Sequence, residues 1–250
     1  MCTAVILNRP KHRWPLIIAA NRDEMAHRQW LPPGRHWPDR PQIVGGKDKL
    51  AGGTWLGIND DGVIATILNR PNSLGPSDNK RSRGELVLEA LDHATAYEAA
   101  KALIYINPES YSPFNLIIAD SQSSFWICND EKKKIRSVPI PEGFSMITNK
   151  DLNDKSCPRI YRHLSRFSVA EPPDFDIENI FSWESLLSDK RKHVEQNSED
   201  TSICIDKSNG YGTLCSAIIG LPEISSSSSP IFLFCQDQPG TNPFYKINLE

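Results

Sequence analysis

The sequence predicts an α+β fold in which helices cover the faces of antiparallel sheets. Two observations carry that reading. Apolar, β-branched-rich runs come in pairs around tight polar turns, as hairpins do. Helical stripes form separate blocks between the strand blocks. The order is therefore strands, helices, strands, helices, strands, without the βαβ alternation of a parallel sheet. The composition agrees: 250 residues, 39% hydrophobic and 24% charged, suit a globular protein with a sizeable core. Neither an internal repeat nor a linker-like stretch divides the chain, so a single domain over residues 1–250 is expected.

Residues 3–7 and 16–21 form the first strand pair, joined by the proline-bearing turn 8–15. The Pro- and Trp-rich stretch 30–41 is too rigid and irregular for a helix. Gly45-Gly46 and Gly52-Gly53 read as punctuation. Residues 54–58 and 63–68 flank Asn59-Asp60-Asp61-Gly62, a strong turn signal. The second of these runs is nearly all apolar, which predicts a strand buried on both faces. From 83 to 106 apolar residues recur at helical spacing, with a break into two helices at 92–95 and an end at Asn107-Pro108. Strands at 114–119, 124–128 and 135–138 follow as a meander. Helices are expected at 159–167 and 177–193, then strands at 202–205, 213–220, 231–235 and 244–249. The serine tract 225–229 is the loop of a hairpin between two of them.

Several function classes are excluded by composition. A net charge of −3 leaves no basic footprint for nucleic acid. The run Lys132-Lys133-Lys134 follows two acids and reads as a solvated turn. Apolar runs such as 16–20 are far too short to span a bilayer, and residues 4–7 are cut off at once by a polar stretch, unlike a signal peptide. Cysteines stand at 2, 128, 157, 204, 215 and 235, with no C-x-x-C pair and no zinc-ligand spacing. Reduced thiols in the cytoplasm are the expectation, or in an organelle matrix if the source is eukaryotic. The six histidines lack metal-site spacing, and no phosphate loop, dinucleotide fingerprint or G-x-S-x-G string is present.

The chemistry begins at Cys2. A small second residue permits removal of the initiator methionine, which would leave a thiol and a free α-amine on one carbon. An α-amine titrates near ~7.7–8.0 and a free thiol near ~8.5, so the amine can take the thiol's proton at neutral pH. Nucleophile and general base then share one residue. The hairpin brings Asn21-Arg22-Asp23-Glu24 back beside Cys2. A carboxylate there holds the α-ammonium or a substrate amine, and Arg22 holds the thiolate or a substrate carboxylate. Asn69 ends the buried strand 63–68, and Asn149 follows Met146-Ile147-Thr148, where an amide is a suitable oxyanion donor. Arg159 falls just inside a predicted helix.

These strings, in order, resemble the NRDE family, the homologues of the transport and Golgi organisation protein. The resemblance is carried by Met1-Cys2, Asn21-Arg22-Asp23-Glu24, Gly52-Gly53-Thr54-Trp55-Leu56-Gly57, Arg83-Gly84-Glu85-Leu86-Val87 and Phe114-Asn115-Leu116-Ile117. It continues through Thr148-Asn149 and Gly210-Tyr211-Gly212-Thr213. It implies an N-terminal-nucleophile hydrolase type of fold, a four-layer αββα sandwich. A more distant likeness is to the choloylglycine hydrolase and penicillin V acylase group. From that likeness Cys2 matches the nucleophile and Asp23 the aspartate contacting its amine. Asn69 and Asn149 match the oxyanion-side and positioning asparagines, and Arg159 the arginine of the pocket. Asn21 and Arg22 are the expected substrate-binding residues.

Two positions depart from the pattern. Ala20 stands where the acylases carry arginine, with Arg22 expected to substitute from the opposite side of the strand. Leu214 stands where many members carry arginine after Gly-Tyr-Gly-Thr. Two functions follow from the resemblance. One is a hydrolase acting on C–N bonds other than peptide bonds, in a linear amide or ester, with Cys2 as nucleophile and no cofactor. The other is a non-enzymatic carrier of haem, acyl-CoA or lipid, with Cys2 or His27 as a haem ligand.

Overall fold

Strand alternation at the start of the chain decides the architecture. In the computed structural model, which describes residues 1–73, 75, 79–130, 134–191 and 201–250, β1 (Thr3–Asn8) pairs antiparallel with β2 (Leu16–Met25), Thr3 opposite Asn21. Successive side chains point to opposite faces of a sheet. Ala4, Ile6, Leu16 and Ile18 therefore enter one apolar layer, and Val5, Leu7, Ile17 and Ala19 enter another.

The second sheet follows directly. β3 (Trp30–Gly34), β4 (Ile43–Asp48), β5 (Leu56–Asn59), β6 (Ile64–Asn69), β7 (Phe114–Ala119), β8 (Ser124–Asn129) and β9 (Arg136–Pro139) pair as sequential antiparallel neighbours. β10 (Gly143–Ile147) returns to the first sheet as the edge neighbour of β1. β11 (Tyr211–Leu221), β12 (Ile231–Cys235) and β13 (Tyr245–Lys246) complete that sheet in the order β10-β1-β2-β11-β12-β13.

Three apolar layers bind these elements. Ala4, Ile6 and Ile18 meet Val44, Leu56, Ile64 and Ile117 between the sheets. The outer face of the second sheet, through Val63, Ala65 and Ile118, packs on α1 (Gly84–Leu91) and α2 (Ala96–Leu103). The outer face of the first sheet packs on α3 (Pro158–Val169) and α4 (Phe181–Leu187) through Ile160, Phe167, Trp183 and Leu187. The result is the four-layer αββα sandwich. The α1–α2 break falls where expected, because Thr95 caps α2 by accepting the Glu98 N–H at 3.2 Å. Among the described residues no helix is long and apolar enough to cross a membrane.

The structure corrects several boundaries. β3 runs through residues expected to be irregular, and β4 contains Gly45-Gly46. These glycines permit close approach instead of making a turn: a Cβ on Gly46 would lie 2.2 Å from the Trp55 ring, and one on Gly45 2.9 Å from the Leu56 carbonyl oxygen. The helix expected at 177–193 is only α4, because residues 174–179 close a turn through the Asp174–Asn179 bridge. His193, like Lys132 and Lys133, lies outside the described residues. Residues 202–205 form no strand, and the Ile203 and Cys204 N–H groups both donate to the Asp189 carbonyl at 3.1 Å. The strand expected at 244–249 shortens to Tyr245–Lys246.

Asp189 also ties the helical layer together. Its carboxylate accepts from Arg166 and Arg191 and faces Arg162 at 3.5 Å. Beside it, buried His163 places Nε2 2.9 Å from the Thr201 carbonyl and Nδ1 3.1 Å from Arg166. Arginine can only donate, so Nδ1 is the acceptor and the proton sits on Nε2. Burial, aided by Arg166, lowers the His163 pKa from 6.5 to about 4. The unfolded chain then binds more protons between these values, so stability falls as pH drops from 6.5 toward 4, by on the order of 3 kcal/mol. Urea midpoints across this window should decline more steeply for the parent chain than for His163→Gln. Equal slopes would contradict the locked neutral histidine.

Candidate active site

Cys2 precedes β1 on the parity of Ala4 and Ile6, so it packs against the layer between the sheets. It opens on a cleft of about 220 Å³ that Arg22, Trp55, Asn69 and Arg83 also line. Its Sγ lies 3.4 Å from the Asp23 backbone N–H and 3.4 Å from the Asp23 carbonyl. Of the six cysteines, five are buried and Cys2 is the partly exposed one. Burial and the Asp23 carboxylate push the Cys2 thiol above its ordinary pKa, while the chain's terminal ammonium, the Asp23 N–H and Arg22 pull it back. The resting group is therefore a thiol at neutral pH, and a base must deprotonate it before it can attack.

Asp23 is the hub beside it, 2% exposed. Its Oδ1 accepts the Thr213 hydroxyl at 2.6 Å. Its Oδ2 faces the Met1 α-ammonium at 3.3 Å and Arg159 Nη1 at 3.2 Å. The same Nη1 donates to Thr3 Oγ1 at 2.9 Å and to the Met1 carbonyl. Tyr211 accepts from the Met1 ammonium at 2.8 Å, and its hydroxyl lies 3.4 Å from the Asp23 carbonyl.

Local sequence explains these positions. Cys157 is the N-cap of α3 and Pro158 its first residue, a favoured place for proline, which sets Arg159 in the first turn. A cation there opposes the helix dipole, and the Asp23 carboxylate offsets it. Thr213 reaches Asp23 because the β2–β11 register shifts between Thr213 and Cys215. Such a bulge re-aims side chains. Leu214 is the residue at that shift and is buried.

The structure thus brings Cys2, Asp23 and Arg159 together and places Asn69 in the same cleft. Asn149 does not line it. Extending the β1–β10 register two positions beyond Ala4–Ile147 nevertheless sets Asn149 across from Cys2, where its Oδ1 accepts from Thr148 at 3.4 Å. Two expectations are corrected. Asn21 shares the parity of Ala19 and turns its amide to the Leu187 and Ile203 carbonyls, both at 2.9 Å. It braces the helical layer and does not face the main cleft. Arg22 lies on the same side of the strand as Ala20, being two residues away, so it can occupy the space an arginine at position 20 would fill. His27 is exposed on the turn after β2 and does not line the cleft with Cys2.

Tyr211, Thr213, Trp55 and Arg83 were missed as site residues, although each sits in a quoted motif. The Gly-Gly-Thr-Trp and Arg-Gly-Glu-Leu strings turn out to be two halves of one backbone crossing. Thr54 N–H donates to the Gly84 carbonyl at 3.1 Å, and a Cβ on Gly53 would lie 2.5 Å from the Gly84 carbonyl carbon. That crossing sets the start of α1, and with it Arg83, against the cleft.

Comparison with known proteins fits this geometry. The fold is that of N-terminal nucleophile hydrolases. The chain superposes on a Caenorhabditis elegans N-acylethanolamine-hydrolyzing acid amidase ortholog with a TM-score of 0.57 at 18% identity, covering 90% of this chain and 95% of that one. Penicillin V acylase from Agrobacterium tumefaciens gives 0.59 at 15% identity, with 99% and 86% coverage. Within that fold, residues 1–225 match the Transport and Golgi organisation 2 family, and the chain belongs to it. The homologous protein from Bos taurus is 38% identical over 120 residues, which is 44% of this chain and 40% of the bovine protein. The human homologue is 37% identical over 120 residues, with the same 44% and 40% coverage.

Proposed function

We propose that the chain, once Met1 is removed, is a cysteine N-terminal nucleophile hydrolase that cleaves a linear amide or ester. The observation carrying this reading is that Asp23 sits beside both the chain terminus, here that of Met1, and the Cys2 sulfur. Its carboxylate is 3.3 Å from the terminal ammonium, and its backbone N–H is 3.4 Å from the Cys2 sulfur. The names of the fold neighbours, an acid amidase and an acylase, support the same class of substrate.

With Met1 attached, the Cys2 nitrogen is an amide and not a base. After its removal the Cys2 α-amine takes the thiol proton, and the thiolate attacks the carbonyl carbon. The oxyanion accepts from the amide of Asn69, which lines the cleft, and from that of Asn149, which stands outside the lining but across from Cys2 in the extended β1–β10 register. The tetrahedral intermediate collapses with transfer of the ammonium's proton to the leaving amine or alcohol, leaving a thioester on Cys2. Water, deprotonated by the α-amine, hydrolyses the thioester and releases the carboxylic acid. Asp23, held by Arg159 and Thr213, orients the ammonium.

The test compares protein with and without Met1, verified by intact mass, on a panel of N-acyl amides. Loss of a positioned general base costs roughly 10²–10⁴-fold, so the Met1-bearing form should be slower by at least that lower bound. Equal turnover by the two forms, or none by the Met1-free form, would refute the proposal.

A further inference from the structure

We propose that the Cys2 cleft selects ligands that carry an oxyanion, a carboxylate or a phosphate, held between Arg22 and Arg83. This rests on reading the cleft as the substrate site but not on its turnover. The charges around the cleft point to it. Arg28 is paired with Asp48 at 2.8 Å, Arg81 with Glu85 at 2.7 Å and Glu89 at 3.3 Å, and Lys80 donates to the Glu109 carbonyl at 2.6 Å. Asp23 is taken by Arg159 and the chain terminus. Arg22, Arg83 and the exposed Lys80 are the cations of the lining without a carboxylate partner among the described residues; of the two arginines, Arg22 also has no hydrogen-bond partner there.

Arg22 is 6% exposed, and its buried Nη1 has no partner among the described residues. Its guanidinium lies 4.3 Å from the Trp55 ring centroid. Gly46 leaves Trp55 the room to stay there, so the stacked guanidinium is preorganised. Arg83 Nη1 is anchored on Ser73 Oγ at 2.9 Å and the Pro113 carbonyl at 3.0 Å, which fix the group without neutralising it. Glu24 also lines the cleft and acts on Arg83, yet forms no ion pair with it among the described residues. Two unpaired guanidiniums against one unpaired carboxylate leave an excess positive charge. Buried guanidiniums are ordinarily paired, and their planar forks match carboxylate and phosphate oxygens.

The test uses Cys2→Ala protein, so that turnover does not intervene, and three octanoyl probes measured by calorimetry at low salt. They are N-octanoylglycine, the neutral N-octanoylglycinamide, and N-octanoylethanolamine O-phosphate. At least one anionic probe should bind about tenfold or more tightly than the neutral one, and the tighter anion identifies carboxylate or phosphate as the source. Arg22→Gln and Arg83→Gln should each remove most of that preference while leaving the neutral probe's affinity within about threefold. Arg22→Lys and Arg83→Lys keep the charge and should retain part of it. Equal binding of all three probes, binding of none, or a preference that survives both glutamine substitutions would overturn the proposal. The probe comparison in the parent Cys2→Ala chain decides even where a glutamine variant does not fold. A Met1-free chain that hydrolyses neutral and anionic amides alike would refute the selectivity and leave the hydrolase reading standing.

Discussion

Asp23→Ala is expected to destabilise the protein by about 3–5 kcal/mol, the cost of stranding one member of a buried ion pair. Arg159 is 1% exposed, and its Nε and Nη2 already lack partners among the described residues. Asp23 is its ion-pair partner among those residues, at 3.2 Å. Removing that carboxylate leaves a guanidinium in the apolar layer between β1 and α3, in a helix turn whose dipole also repels it. For a chain of this size the thermal midpoint should fall by on the order of 10 °C. Thr213→Val, which loses one neutral hydrogen bond to the same carboxylate, should cost about 1 kcal/mol. Combining Asp23→Ala with Arg159→Met should recover much of the loss, because the stranded charge goes with it. Chemical denaturation of the parent, these three variants and Arg159→Met alone checks this. An Asp23→Ala chain within about 1 kcal/mol of the parent, or a double variant whose loss is simply the sum of the single ones, would contradict the hub.

Most of the strand and helix order was legible because it rests on periodicity. Residues 3–7 and 16–21 pair as their apolar pattern requires, and Thr95 breaks the helical stripe at the point its capping chemistry dictates. What escaped was decided by tertiary contact. Gly45-Gly46 looked like punctuation because a glycine placed for the Trp55 ring has the same local signature as one placed for a turn. The strand expected at 202–205 failed because its backbone groups are claimed by the Asp189 carbonyl, far away in the layer of helices. In the site, Cys2 and Asp23 could be brought together from the hairpin alone. Arg159 could be placed in a helix's first turn, but its role in the pocket came only from the family likeness, since nothing in that turn says which strand it faces. Alternation along β2, which adjacency in sequence does not show, sends the Asn21 amide to the helices and the Arg22 side chain between the sheets. Thr213 depends on a bulge, and Arg83 on a glycine crossing between two distant motifs, neither of which a single strand reveals.

Cys2→Ala should abolish amide or ester hydrolysis by the Met1-free chain, a loss of roughly 10⁴- to 10⁶-fold, since the proposed mechanism places nucleophile and general base on this one residue. The other five cysteines are buried, and burial raises the Cys204 pKa to about 11. None of them is placed to take over. Fold stability should change little, because Cys2 is partly exposed and its sulfur makes two long hydrogen bonds, both to the Asp23 backbone, among the described residues. The direct measurement is intact mass, with peptide mapping, of Met1-free protein quenched in acid during turnover of a reactive p-nitrophenyl acyl ester, whose fast acylation lets the thioester accumulate. The account predicts a single added acyl group on the residue 2 peptide, absent from Cys2→Ala and absent from protein that keeps Met1. Turnover by the Cys2→Ala chain at the parent rate, or an acyl group mapped to another residue, would contradict it.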